Sequence, residues 1–311
     1  MNQFIPLVEQ LITLYVIAGV GFVLKRRNVL TQASDHVMMQ IVLLITLPAL
    51  IVSSLDTHFA FTLLSHFFWL IGMSAFALLT AVLIGKLLSN ICKLHSKCRS
   101  GFEGISVFGN QGFIGYAVCG YILGAEGIIY TIIFNILYLF LIWTYGIHLF
   151  NKDHAISRTE IFLNAGVLST CIGLLLFLTP LSLPAVILQP LQNIGAMTTP
   201  LSLLAIGSLL GSLSLRSAVT ISASPYIWIA AFTKLLLVPL LLFAFIPFTP
   251  NFSVIAAAVL LAGMPSAPTM SLYALKYGGD AEFTSVGVGI STVLSIGTLP
   301  FIYILLTLFF S

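Results

Sequence analysis

Charge is the scarcest thing in this chain. Of its 311 residues only 7% are charged, whereas 59% are hydrophobic. A typical soluble domain is about one-quarter charged, so the composition excludes an ordinary water-soluble fold. The net charge of +3 offers no basic surface for nucleic acid. Cysteine is also sparse. Cys92, Cys98, Cys119 and Cys171 form no disulfide framework, and Cys92 and Cys98, with only His95 between them, lack the closer and fuller ligand set of a zinc site. That loop reads as reduced and cytoplasmic. The amino terminus has no basic region and no small-residue cleavage site, so it reads as a retained first span.

What is present is apolar sequence in long runs, at 4–24, 37–55, 67–89, 101–122, 127–150, 160–178, 189–211, 226–247, 251–275 and 283–310. A helix crossing a bilayer core needs about 20 such residues. The expected fold is therefore an all-α integral membrane protein with ten transmembrane helices. Lys25, Arg26, Arg27, Lys86, Lys93, Lys97, Arg99, Lys152, Arg158, Arg216 and Lys276 all lie at the end of odd-numbered runs or just after them. The positive-inside rule makes that side cytoplasmic and places both termini outside.

Five spans per half is an odd number, so a duplicated half inserts upside down. Thr46-Leu47-Pro48 has a counterpart in Thr198-Thr199-Pro200, 152 positions later, as Gly21 has in Gly173. Gly109 and Gly263 lie 154 positions apart, as do Gly124 and Gly278, and Glu126 and Asp280. These offsets divide the chain into 1–150 and 151–311, two inverted five-helix repeats within one membrane domain.

Two runs break their own pattern in matching places, at Gly109-Asn110-Gln111-Gly112-Phe113-Ile114-Gly115 and at Gly263-Met264-Pro265-Ser266-Ala267-Pro268. Glycine costs about 1 kcal/mol inside a helix and proline about 3 kcal/mol. Unwound backbone at membrane depth survives only where protein buries it or it lines a cavity. Paired interruptions of this kind point to a transporter's binding site. Helices 4 and 9 are thus expected to be broken and to cross near the midplane, with half-helix amino termini suited to an anion.

The Gly109–Gly115 motif resembles the Gly-Asn-Thr-Gly-Phe-x-Gly of the auxin efflux carrier family, which includes bacterial malate- and malonate-type permeases. Met264-Pro265 followed by Ala274-Leu275-Lys276-Tyr277-Gly278 is similar to its second crossover, and Lys25-Arg26-Arg27 and Leu47-Pro48-Ala49-Leu50 also fit. The resemblance covers essentially the whole chain. It implies a scaffold and a mobile transport domain built from both repeats, related to bile-acid/sodium symporters and sodium/proton antiporters. It also implies organic-anion transport and a homodimer. Two features depart from the family. Tyr116-Ala117 stands where many members carry proline, and 67–89 contains no acid to partner a lysine resembling Lys276.

The candidate substrate residues are Asn110, Gln111 and Gly112 at the first break, and Met264, Pro265, Ser266 and Thr269 at the second. Asn110 alternatively caps a half-helix. Gly109, Gly115, Gly263, Pro268, Pro48 and Pro200 shape the breaks and kinks, and Thr46 and Thr198 are placed to bond carbonyls freed there. Asn135 is placed to hold the unwound segment. Lys234 is the one basic residue well inside a span, and three roles stay open: balancing substrate charge, changing protonation, or snorkelling to the cytoplasmic face. Lys276 is a second charge-coupling candidate. Glu9 reads as peripheral, and Glu103 as a partner for Arg99.

No buried acid is expected at the crossing, so the choice among H+, Na+ and uniport stays open, and no cofactor or metal is expected. An enzyme is not expected either. Tyr277-Gly278-Gly279-Asp280 lacks the first glycine of an intramembrane aspartyl protease motif, Asp35, Asp56 and Asp153 fall in loops, and no His-Glu-x-x-His occurs. The expected function is a multi-pass plasma-membrane carrier for a small organic anion, a dicarboxylate such as malate or malonate, working by elevator-type alternating access. A cation-coupled symporter for a bulkier amphipathic anion and a non-transporting sensor are the alternatives.

Overall fold

An apolar chain in lipid must satisfy its backbone internally, and helices do so within one segment. The computed structural model describes residues 4–56, 64–151, 165–179, 181–212, 215–249 and 251–310, and every element named among them is a helix. In chain order these are α1 (Phe4–Arg26), α2 (Gln32–Leu55), α3 (Leu64–Ile91), α4 (Ser96–Val107), α5 (Tyr116–Leu141), α6 (Ala165–Leu178), α7 (Ala185–Ser212), α8 (Leu215–Ser222), α9 (Pro225–Phe248), α10 (Phe252–Ala262), α11 (Pro268–Tyr277) and α12 (Ala281–Phe310). Six stretches are long and apolar enough to cross a membrane, at Gln32–Leu55, Ser65–Ile91, Glu126–Phe150, Ala185–Ser212, Pro225–Phe248 and Ala281–Phe310. Lys152, Asp153, Arg158 and the start of the expected 160–178 run lie outside the described residues.

The runs expected at 101–122 and 251–275 do not form single helices. Glycine and proline divide them into α4 and a later helix, and into α10 and α11. Proline leaves a further mark in α2 and α9. Pro48 and Pro239 each follow a π-helical turn, Val42–Thr46 and Thr233–Leu237, where the chain widens because proline donates no backbone bond. Thr198 donates its hydroxyl to the Gly195 carbonyl at 2.6 Å, as expected near Pro200. Thr46 does not; its buried hydroxyl has no partner.

Packing sorts the helices into two groups. α1 lies along α7, and α2 packs on α6 and α7. The second group surrounds α10, whose residues Val254–Ala262 are all buried and pack against α3, α5, α9 and α12. Contacts between the groups are fewer, and one of them is polar, the Tyr15 hydroxyl of α1 donating to the Thr292 carbonyl of α12.

Asp35 corrects the sequence reading. It lies not in a loop but in the first turn of α2, behind the Thr31–Ser34 capping box, and it is buried. There it is ion-paired with Lys25 of α1 and accepts the Ser208 hydroxyl of α7.

Candidate functional site

α4 stops at Val107 because Phe108 is extended, at φ −94° and ψ 111°. α10 stops at Gly263, and α11 restarts at Pro268 after an extended Ala267. The two unwound strips lie antiparallel, with Gly109 paired to Ser266. The Asn110 N–H donates to the Pro265 carbonyl at 2.6 Å, and the Ala267 N–H to the Phe108 carbonyl at 2.8 Å. Backbone groups that neither helix can satisfy are thereby satisfied by the other strip.

Side chains complete this junction. Tyr138 donates its hydroxyl to the Gly109 carbonyl at 2.6 Å, and Asn135 its amide to the Gln111 carbonyl at 3.4 Å. The Ser266 hydroxyl donates to the Ile105 carbonyl at 2.9 Å, and the Ser291 hydroxyl accepts the Ser266 N–H. Ser266 is thus already engaged in holding the end of α4. Met264 and Thr269 are buried beside it, Thr269 in the first turn of α11. Gly115 packs on Leu261, and Gly263 caps α10. Tyr138 and Ser291 were not singled out from sequence; a hydroxyl inside an apolar run was the available signal.

Asn110 and Gln111 are buried, and Asn110 Oδ1, Gln111 Oε1 and Asn135 Oδ1 have no hydrogen-bond partner among the described residues. Three unpartnered amide oxygens in one buried region are unusual, because such groups are normally satisfied. Gly112 faces open space. Beside it a cleft of about 20 Å³ lies between Gly112, Tyr116 and Asn135 of one helix group and Leu47, Leu50, Ile51 and Ser54 of the other. That is room for about one water molecule.

Lys234 does not snorkel. It is 1% exposed, and its Nζ donates to the carbonyl of Ala262, the last residue of α10, at 2.8 Å. It also lies directly against Gly109. The structure therefore brings Lys234 into the junction, together with Gly109, Asn110 and Met264–Ser266. Lys276 is not brought there. It is exposed at the far end of α11, with its ammonium 5.1 Å from the centre of the Tyr277 ring. Pro48 and Pro200 lie in α2 and α7, in the other helix group.

The acids sit elsewhere. Arg99 and Glu103 pair at 2.8 Å, with the Ser89 and Tyr145 hydroxyls also on the Glu103 carboxylate. Glu9 is exposed. In the first turn of α4, Cys98 donates its thiol to Asp280 at 3.2 Å, and burial, then the Asp280 carboxylate, push that thiol up to about 11. Among the described residues no group of three His, Cys, Asp or Glu side chains is placed to hold a metal.

Two helices end and two helical segments start at this one buried junction. The family model described as membrane transport protein matches residues 6–164 and 156–303. Among curated proteins none matches the chain.

Proposed function

This chain belongs to the membrane transport protein family, that of the auxin efflux carriers, and from that membership we propose that it is a secondary carrier of a small organic anion. The substrate class is a dicarboxylate such as malate or malonate, moved across the plasma membrane. The observation that carries this reading is the antiparallel junction at Gly109 and Ser266, from which a new helical segment starts on each side, at Gln111 and at Pro268. Helix starts carry free N–H groups and partial positive charge, which favour an anion without a permanent counter-ion. Asn110, Gln111 and Gly112 form one wall of the site, and Met264, Pro265 and Thr269 the other. The unpartnered Asn110 and Gln111 oxygens suit a donor such as the hydroxyl of malate or a protonated carboxyl.

The two helix groups, with fewer contacts between them than within them, support alternating access. A cleft of about 20 Å³ between them is too small for a dicarboxylate, so access requires the group bearing the junction to shift against α1, α2, α6 and α7. The inverted repeat, 1–150 against 151–311, is supported by related contacts: Gly21 of α1 packs on Leu204 of α7, and Gly173 of α6 on Leu55 of α2. Gly124 and Gly278 are also the two glycines with positive φ among the described residues. With this repeat the chain has ten spans and both termini outside.

The test is radiolabelled malate and malonate flux in proteoliposomes, with and without a proton gradient, against Asn110→Ala. Saturable flux that the variant loses while still inserting supports the site. Flux unchanged in Asn110→Ala sinks it.

A further inference from the structure

Lys234 is a buried basic side chain with no carboxylate bonded to it among the described residues. Among the described residues its Nζ has one acceptor, the Ala262 carbonyl, whereas an ammonium has three N–H donors to place. A neutral amine has two and fits the pocket better. The elements packed on its π-helical turn carry His66 and Lys86 on α3, Lys97, Cys98, Arg99 and Glu103 on α4, Tyr226 at the start of α9, and Glu282 and Tyr303 on α12. Among the described residues the bond that Lys234 makes is the one to the Ala262 carbonyl. Arg99 and Glu103 are paired with each other, His66 contacts Tyr130, Cys98 contacts Asp280, and Lys86 lies over the Tyr145 ring. Tyr138 reaches the same junction, but it bonds the Gly109 carbonyl.

We infer that Lys234 is the coupling group of the carrier, taking up one proton with each substrate anion at the junction and releasing it with that anion on the other side. The inference rests on the organic-anion reading above and adds the coupling ion and its carrier residue. The step balances simply. The amine lone pair accepts a proton from the aqueous side on which the anion enters, no other bond changes, and the ammonium returns that proton when the anion departs. An unpaired charge away from water is disfavoured, so the empty site holds the amine. An anion arriving at Asn110 and Gln111 supplies the missing counter-charge, so anion and proton bind with mutual gain. The π-helical turn matters here, because it places Lys234 toward Gly109 and Ala262 rather than along the outside of α9.

The experiment measures proton uptake with an indicator dye in weakly buffered, mildly alkaline detergent solution as malonate or malate is added. Binding of the radiolabelled acid is followed in parallel, for the wild type, Lys234→Met and Lys234→Arg. The wild type should take up about one proton per bound anion. Lys234→Arg, which keeps its charge throughout, should bind the anion with no uptake. Lys234→Met should show no uptake and binding weakened about tenfold or more. Wild-type binding without proton uptake, or undiminished uptake per bound anion in either variant, overturns the inference and leaves the carrier reading standing. Absence of wild-type binding to both acids overturns the dicarboxylate reading and this inference with it, and the binding arm alone reveals that case. The wild-type stoichiometry needs no variant to fold.

Discussion

Gly109 and Lys234 compete for the same few ångströms: a methyl group on Gly109 would stand 2.7 Å from Lys234 Cε and 2.8 Å from its Nζ. It would also stand 3.2 Å from the Met264 carbonyl oxygen. The case for glycine here is close approach to the tip of the Lys234 side chain, since the backbone at this point is not left-handed. Gly109→Ala should therefore push the lysine off the Ala262 carbonyl. Overpacking of this kind costs about 1–3 kcal/mol. Anion flux in proteoliposomes should fall by about tenfold or more, equivalent to about 1.4 kcal/mol. Full flux with a modest loss in thermal unfolding would show that Lys234 has room to move without consequence.

Tyr138 offers a separate handle on the same junction. Its hydroxyl bonds the Gly109 carbonyl, which lies in an extended strip with no helical neighbour to replace it. Tyr138→Phe leaves a buried acceptor unpaired, at about 1–3 kcal/mol. Thermal unfolding in detergent should register that loss, and flux should fall with it. An unchanged melting curve would mean that water or another donor reaches the carbonyl.

On the basic face, Cys98 should be slow to alkylate. At neutral pH its thiol is held protonated, first by burial and then by Asp280, with titration raised to about 11. The thiolate is the reactive form, so labelling by iodoacetamide should accelerate as pH rises toward that value. Asp280→Asn removes the carboxylate and should speed labelling at a fixed pH. Equal rates in the two proteins would leave burial as the whole cause. The same substitution keeps the cap of α12, because the asparagine oxygen can still accept the Phe283 N–H that Asp280 accepts at 2.9 Å.

The interruptions were legible because they are written locally. Glycine and proline at 109–115 and 263–268 oppose helix wherever they occur, and no partner is needed to infer a break. The Arg99–Glu103 pair was legible for the same reason, being one helical turn apart. Lys234 was not. Snorkelling and burial differ only in which side of α9 faces the junction, and that depends on the π-helical turn and on α10, two elements distant in sequence or absent from the pattern. The sequence offers Ser266 as a hydroxyl donor to substrate and gives no sign of its acceptor, the Ile105 carbonyl, 161 residues away. Asp35 was misplaced because a polar stretch after Lys25-Arg26-Arg27 has the composition of a loop, and its partners come from α1 and α7.

Asp35 supplies the last prediction. Lys25, Asp35 and Ser208 tie α1, α2 and α7 together through one buried carboxylate, with side chains 12% and 4% exposed for the lysine and the aspartate. Breaking a buried pair by removing one partner costs about 3–5 kcal/mol, because the other charge is stranded. Here a cavity of about 530 Å³ adjoins both residues, lined also by Thr31, Ser212 and Glu282. Water entering it would partly rehydrate Lys25, so Asp35→Asn should fall near the lower end, about 3 kcal/mol. Lys25→Met combined with Asp35→Leu removes both charges and should recover most of that loss, a non-additivity expected of contacting groups. The network lies within one helix group and away from the junction, so the folded fraction of Asp35→Asn should retain its anion flux. Thermal unfolding of Lys25→Met, Asp35→Leu and their combination closes the cycle. Additive losses would show that the pair contributes no coupling, and flux lost from fully folded Asp35→Asn would move this carboxylate into the transport cycle.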